Sequence, residues 1–197
     1  YENPQAGRLR EFHQFGVEVL GSSTPDTDAE VILFVKTLFD KLGIHSLELN
    51  INSIGGKECR KTYNDALKDY LRPHLDEMCD TCRERFDKNP LRILDCKEEK
   101  CKEICKDAPR MLDYLCDDCK SHFEKVKTLL DSCGVEYKID PNIVRGLDYY
   151  TKTVFEFVST SIGAQSTVCG GGRYDGLIEE MGGGKVQGVG FALGRER

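Results

Sequence analysis

No stretch of this sequence approaches the roughly 20 consecutive apolar residues needed to cross a bilayer, so a membrane-spanning helix is not expected. No methionine opens the chain. Its first residues, Tyr1-Glu2-Asn3-Pro4-Gln5-Ala6-Gly7-Arg8, lack the charged-then-apolar layout of a signal peptide. The expectation is an internal piece of a longer cytoplasmic protein. There is no basic excess either: 28 Lys and Arg face 34 Asp and Glu, for a net charge of −6. That excludes a wholly basic nucleic-acid binder, although a local basic patch could still meet phosphate. Glycine, with 19 residues overall, vanishes between positions 57 and 133.

What is present in excess is cysteine, ten in all. In a cytosolic chain thiols stay reduced, and clustered cysteines point to metal or to plain burial. The length of 197 residues suits one core domain with an elaboration.

Hydrophobic periodicity predicts where the elements fall. Residues 10–20 alternate, with Phe12, Gln14, Gly16, Glu18 and Leu20 on one strand face and Phe15, Val17 and Val19 on the other. Gln14 and Glu18 could then floor a polar pocket or simply face solvent at an edge. Asp26 or Thr27 is expected to cap a helix through Val31, Leu33, Phe34, Leu38 and Leu42, ended by Gly43. His45–Asn52 reads as a strand. From Lys57 to Cys133 the spacing is helical and charge is dense but balanced, with sixteen basic and seventeen acidic residues from 57 to 125. Strands return at Val135–Ile139, Thr151–Ser159, Ala164–Cys169 and Val186–Phe191. A Gly170–Gly172 turn leads to a short helix through Met181, and a second glycine turn follows at Gly182–Gly184. The prediction is an α+β architecture, an antiparallel sheet with flanking helices. It divides into core at 1–56, a helical Cys-rich insertion at 57–133, and core again at 134–197.

The insertion contains a repeat. Leu75-Asp76-Glu77-Met78-Cys79-Asp80-Thr81-Cys82-Arg83-Glu84-Arg85-Phe86-Asp87-Lys88 matches Leu112–Lys125 at seven of fourteen positions, offset by 37. Two C-x2-C pairs, Cys79/Cys82 and Cys116/Cys119, could hold tetrahedral zinc if their helices pack antiparallel with the pairs opposed. They could equally be small core residues on an apolar helical face. Cys96, Cys101 and Cys105 could replace a ligand. Cys59, Cys133 and Cys169 have no partner by spacing and are expected to pack.

Three blocks stand apart from ordinary sheet sequence. Tyr1–Glu18 reads as strand, polar turn and strand, with Arg8 and Arg10 at the return, where arginine can grip phosphate or simply be solvated. Val144-Arg145-Gly146-Leu147-Asp148-Tyr149-Tyr150-Thr151 sets an arginine in a glycine turn beside paired tyrosines, aromatic walls with polar tips. Gly170-Gly171-Gly172-Arg173-Tyr174-Asp175-Gly176 is followed by Gly190-Phe191-Ala192-Leu193-Gly194-Arg195-Glu196-Arg197. Its glycines would let backbone approach a ligand, but the spacing is neither a Rossmann nor a P-loop fingerprint.

In this order the three blocks closely resemble the histidyl-tRNA synthetases, a class II aminoacyl-tRNA synthetase family. The first resembles motif 2, the second the histidine-specific signature, and the last motif 3, with an insertion between motifs 2 and 3 as in the family. The resemblance implies a class II-type antiparallel sheet and a ligase that makes histidyl-adenylate from histidine and ATP-Mg²⁺, then transfers histidine to tRNA(His). It implies that Gln14, Glu18, Tyr149, Tyr150, Gly170, Gly171 and Gly172 bind histidine. Arg145 would approach the carboxylate and the reacting α-phosphate, and Glu2, Arg8 and Arg197 would contact ATP. It also implies a homodimer of the full-length protein, with no membrane partner. Motif 1 and the anticodon domain are absent from the sequence, and Arg195 stands where the family usually has an aliphatic residue. The fragment alone is therefore expected to be inactive. Two alternatives remain. One is a non-aminoacylating paralogue acting as a regulatory subunit of histidine biosynthesis. The other is a Cys-rich nucleic-acid or zinc module carried on a scaffold.

Overall fold

The computed structural model describes residues 9–143, 149–159 and 167–197. Among these, six strands form one sheet: β1 (Gln14–Leu20), β2 (Leu47–Ser53), β3 (Lys138–Ile139), β4 (Thr151–Ser159), β5 (Thr167–Tyr174) and β6 (Gly188–Gly194). Their order is β1-β6-β5-β4-β2-β3. All pairings are antiparallel except β2 with β3, a two-residue parallel contact that makes the sheet mixed rather than purely antiparallel.

Helix α1 (Pro25–Lys41) starts two or three residues earlier than expected. Thr24 takes the cap position and Pro25 the first turn, where its fixed φ suits the helix and its missing N–H costs nothing. Asp26 and Asp28 sit at the positive end of the helix dipole and Lys41 at the negative end. Gly43, at φ +73°, turns the chain toward β2.

Strand alternation then sorts the sheet into two faces. One face carries Val17, Val19, Leu49, Ile51, Phe155, Phe157, Val189, Phe191 and Leu193 against Val31, Ile32, Val35 and Phe39 of α1. Helix α5 (Asp117–Ser132) completes this layer with Phe123, Val126 and Leu130. The last helix of the expected 57–133 insertion therefore packs largely on the sheet. The rest of the insertion builds its own core. Helices α2 (Lys57–Leu71), α3 (Asp80–Lys88) and α4 (Glu99–Cys105) alternate with 3-10 turns at Arg72–Glu77, Pro90–Ile93 and Met111–Tyr114. They bury Tyr63, Leu67, Leu71, Ile93 and six cysteines.

The expected turn at Gly170–Gly172 is instead the middle of β5. Both neighbouring strands pair with these glycines, and side chains added at Gly171 or Gly172 would have nowhere to go. A Cβ on Gly171 would meet the Phe155 ring at 2.6 Å and Phe191 Cβ at 2.8 Å. Close approach, not chain reversal, is what these glycines provide.

Arg173 follows them on the helix face with no exposed surface. Its Nε and Nη2 donate to Asp28 Oδ1 at 2.9 and 2.5 Å. Nη1 donates to the Ser22 carbonyl at 2.7 Å and to Asp175 Oδ1 at 3.2 Å, and Nη2 to the Thr24 carbonyl at 3.1 Å. Five bonds thus use all five guanidinium donors. His122 Nε2 of α5 lies 2.6 Å from the other oxygen of Asp28. Burial alone would raise the Asp28 pKa, but hydrogen bonds from His122 and Arg173 outweigh it and hold the carboxyl below its ordinary range.

Candidate functional site on the open face of the sheet

The opposite face of the sheet is not covered by α1 or α5. Register places Gln14, Gly16 and Glu18 of β1 beside Gly194, Ala192 and Gly190 of β6. Next come Gly170 and Gly172 of β5, Glu156 and Val154 of β4, and Asn50 and Asn52 of β2. Small residues in β6 and β5 make a shallow floor between larger side chains on either side. Those side chains occupy the space the glycines leave. A Cβ on Gly190 would fall on the Glu18 carboxylate, and one on Gly188 would fall on the Tyr174 ring.

Across this floor the Tyr174 hydroxyl donates to Glu18 Oε2 at 2.5 Å. Burial, then the bond to Glu18, pushes the Tyr174 phenol pKa upward, so it remains a donor. Tyr149 meets Tyr174 edge-on, with ring centroids 5.8 Å apart, and stacks obliquely on Tyr150 at 4.8 Å. Tyr150 lies over Gly172, where an added Cβ would sit 2.9 Å from its Cδ1. A small apolar cluster of Ile54, Ile143 and Val154 supports the tyrosines from beneath. The result is a carboxylate and three aromatic rings around a flat floor. Such a place can hold a planar ring that carries an N–H donor.

The tyrosine pair is steered by a bulge between Thr151 and Val154. Lys152 there takes φ +50°, left-handed and unusual for a side-chain-bearing residue. It is pinned by backbone hydrogen bonds with Ile54 and Gly55 and by an ion pair with Asp118 at 2.9 Å. Arg60 of α2 donates to the Tyr150 carbonyl at 3.1 Å. The start of the insertion and the start of α5 thus both grip the strand that carries the tyrosines.

The structure brings Glu18, Tyr149, Tyr150 and Gly172 together, with Gly170 on the same face. Gly171 points to the helix layer, so only its backbone could serve a ligand on the open face. Gln14 shares the Glu18 face but stands exposed at the far end of β1, opposite Gly194. Arg197 sits nearby: its Cδ is 3.8 Å from where a Gly194 Cβ would be, and its Nη1 donates to the Thr167 carbonyl at 2.5 Å. Glu2, Arg8 and Arg145 lie outside the described residues. Sequence reasoning gave Tyr174 no role: with Gly170–Gly172 read as a turn, the two-residue spacing that puts Tyr174 on the Gly172 face of a strand did not show.

The candidate tetrad of Cys79, Cys82, Cys116 and Cys119 does not assemble. Cys79 and Cys82 group with Cys96 and Cys101, their sulfurs all within 4.8 Å of one another. Cys116 and Cys119 group within the same limit with Cys59, which spacing alone had left to packing. The reason is that the two helices do not oppose each other: α5 lies along α1 with its first turn at α2, whereas α3 packs on the 3-10 turns beside it.

The family model described as Histidyl-tRNA synthetase matches residues 1–197. The chain is 63% identical over 197 residues to a histidine–tRNA ligase of Acetivibrio thermocellus, covering 100% of this chain and 47% of that protein. It spans about half the length of the curated relatives it matches. Among solved structures, apo S. aureus histidyl-tRNA synthetase superposes with a TM-score of 0.77 at 42% identity, over 95% of this chain and 46% of that one. A Bacillus halodurans protein described as an ATP phosphoribosyltransferase regulatory subunit/histidyl-tRNA synthetase gives 0.62 at 24% identity, over 96% and 53%, a likeness of fold alone.

Proposed function

The chain belongs to the histidyl-tRNA synthetase family, and from that premise we propose that its parent protein activates histidine with ATP and transfers it to tRNA(His). The observation that carries the reading is the Tyr174–Glu18 pair across Gly190, flanked by Tyr149 and Tyr150.

In this proposal imidazole lies on the glycine floor and donates its N–H to the Glu18 carboxylate, which Tyr174 holds in place. An amino acid without that donor would leave Glu18 and Tyr174 facing an apolar group, a penalty that discriminates strongly. Activation is an in-line attack of the histidine carboxylate on the α-phosphate, which demands positioning and positive charge rather than a nucleophilic side chain. Arg145 and Arg8 are the proposed sources of that charge, with Glu2 beside ATP. Arg197, already folded over Gly194, would lie against adenine. Mg²⁺ arriving with ATP would offset the phosphate charge.

The proposal extends to a cytoplasmic homodimer without membrane attachment. Among the described residues, no helix is long and apolar enough to cross a membrane. The insertion, with its sixteen basic residues between 57 and 125, would meet the acceptor end of tRNA.

Histidine-dependent exchange of pyrophosphate into ATP by the full-length protein is the direct test. Exchange with histidine that Arg145→Ala abolishes is expected. Absence of exchange in a folded, full-length preparation would overturn the reading in favour of a non-aminoacylating relative.

A further inference from the structure

The insertion holds a second centre that histidine activation does not use. Cys79, Cys82, Cys96 and Cys101 come from three separate stretches of chain and converge on one point. Cys79 caps α3 and Cys82 lies in its first turn. Cys96 follows the 3-10 turn at Pro90–Ile93, its N–H bonded to the Ile93 carbonyl at 3.0 Å. Cys101 sits in α4. Cys82, Cys96 and Cys101 are buried, and Cys79 is partly exposed.

We propose that these four cysteines form a structural tetrathiolate zinc site that fastens α3 to α4 within the insertion.

Geometry is the first support. Four Zn–S bonds of about 2.3 Å in a tetrahedron place the sulfurs about 3.8 Å apart. The Cys79 and Cys96 sulfurs are 3.8 Å apart, and all four lie within 4.8 Å of one another. Spacing is the second. Read in the order the fold dictates, the ligands are C-x2-C and C-x4-C, both within the range that structural zinc sites use. The third is the backbone. The Cys79 N–H points at Cys101 Sγ at 3.4 Å, the kind of hydrogen bond that supports a thiolate. The ligand chemistry, four soft sulfurs and no carboxylate or imidazole, selects zinc over magnesium or calcium.

The neighbouring Cys105 marks the limit of the site. It is buried in the same core, but its thiol donates to the Ile93 carbonyl and it is not part of the group. The surroundings also explain what the metal would do. Elements of four to nine residues, α3, α4 and two 3-10 turns, share this small core. Units of that size seldom stay folded on burial alone. Binding exchanges four thiol protons for one Zn²⁺, so the site should tighten as pH rises.

The test uses the purified protein carrying Cys116→Ser and Cys119→Ser, so that the three-sulfur group near Cys59 contributes nothing. One retained equivalent of zinc is expected, with an X-ray absorption spectrum showing four sulfurs at about 2.3 Å and no lighter scatterer. Adding Cys82→Ser or Cys101→Ser should abolish retention, and Cys105→Ser should preserve it. The proposal falls if iron takes the place of zinc, or if the thiols are paired as disulfides with no metal. It also falls if oxygen or nitrogen occupies the shell, or if Cys105→Ser loses zinc as fully as Cys82→Ser.

Discussion

Arg173 places two of its five donors on a single oxygen of Asp28, at 2.9 and 2.5 Å, with both side chains wholly shielded from solvent. The pair joins β5 to α1, and His122 extends it to α5. Breaking it from one side leaves a buried charge with too few partners, which typically costs about 3–5 kcal/mol. Arg173→Met should therefore lower the urea midpoint steeply. Arg173→Met with Asp28→Leu should recover much of the loss, because the stranded carboxylate is then gone. Equal stability of the single variant and the parent would show that the network contributes nothing net.

Acid should attack the same place. The folded-state pKa of Asp28 is depressed by His122 and Arg173 against the opposing effect of burial. A depressed carboxyl contributes stability that is fully present above its unfolded value of about 3.9 and is lost as pH falls through the folded value. Stability should thus decline below about pH 4. Asp28→Asn should be less stable at pH 7 and show a shallower decline toward acid. Parallel pH profiles for the two proteins would rule out Asp28 as a source of the acid sensitivity.

On the open face, Tyr174→Phe removes a single hydroxyl. A hydrogen bond to a charged group is worth about 1.5–3 kcal/mol. The variant should fold normally, and histidine binding to the full-length protein should weaken about tenfold or more, as calorimetry would read. Unchanged affinity would mean that the Glu18–Tyr174 pair lies outside the histidine pocket.

Two leucines with no exposed surface separate the two cores. Leu130 of α5 packs on the sheet and Leu67 of α2 packs among the insertion cysteines. Each truncation to alanine should cost about 2–5 kcal/mol. Hydrogen exchange should accelerate in β4 and β5 for Leu130→Ala, but in α3 and α4 for Leu67→Ala. Identical exchange patterns would show that the insertion and the sheet unfold as one unit.

Much of this arrangement was written in local patterns. Strand β4 has the predicted bounds, Thr151–Ser159, because alternating side chains and β-branched residues leave little choice. Gln14 and Glu18 were legible as one face by simple parity. The glycine triplet misled because glycine marks both turns and close approaches, and only the ladders on either side decide between them. The cysteine partners were hidden for a different reason. A repeat records similar helix starts, and Cys79 and Cys116 do occupy the same cap position. It does not record which surfaces those helices meet. Phe123, Val126 and Leu130 commit α5 to α1, and the chain between residues 90 and 101 folds back to supply Cys96 and Cys101. Arg145, on which the sequence reading leaned most, lies outside the described residues.

Arg173 and Tyr174 are consecutive in β5 and so project to opposite sides of one pleat. The guanidinium is locked into α1 from behind, and the phenol stands in front beside Glu18. Any slackening among the helices therefore arrives at the aromatic pocket as a shift in aim. Under the proposed function, discrimination among amino acids would then depend partly on residues the substrate never touches.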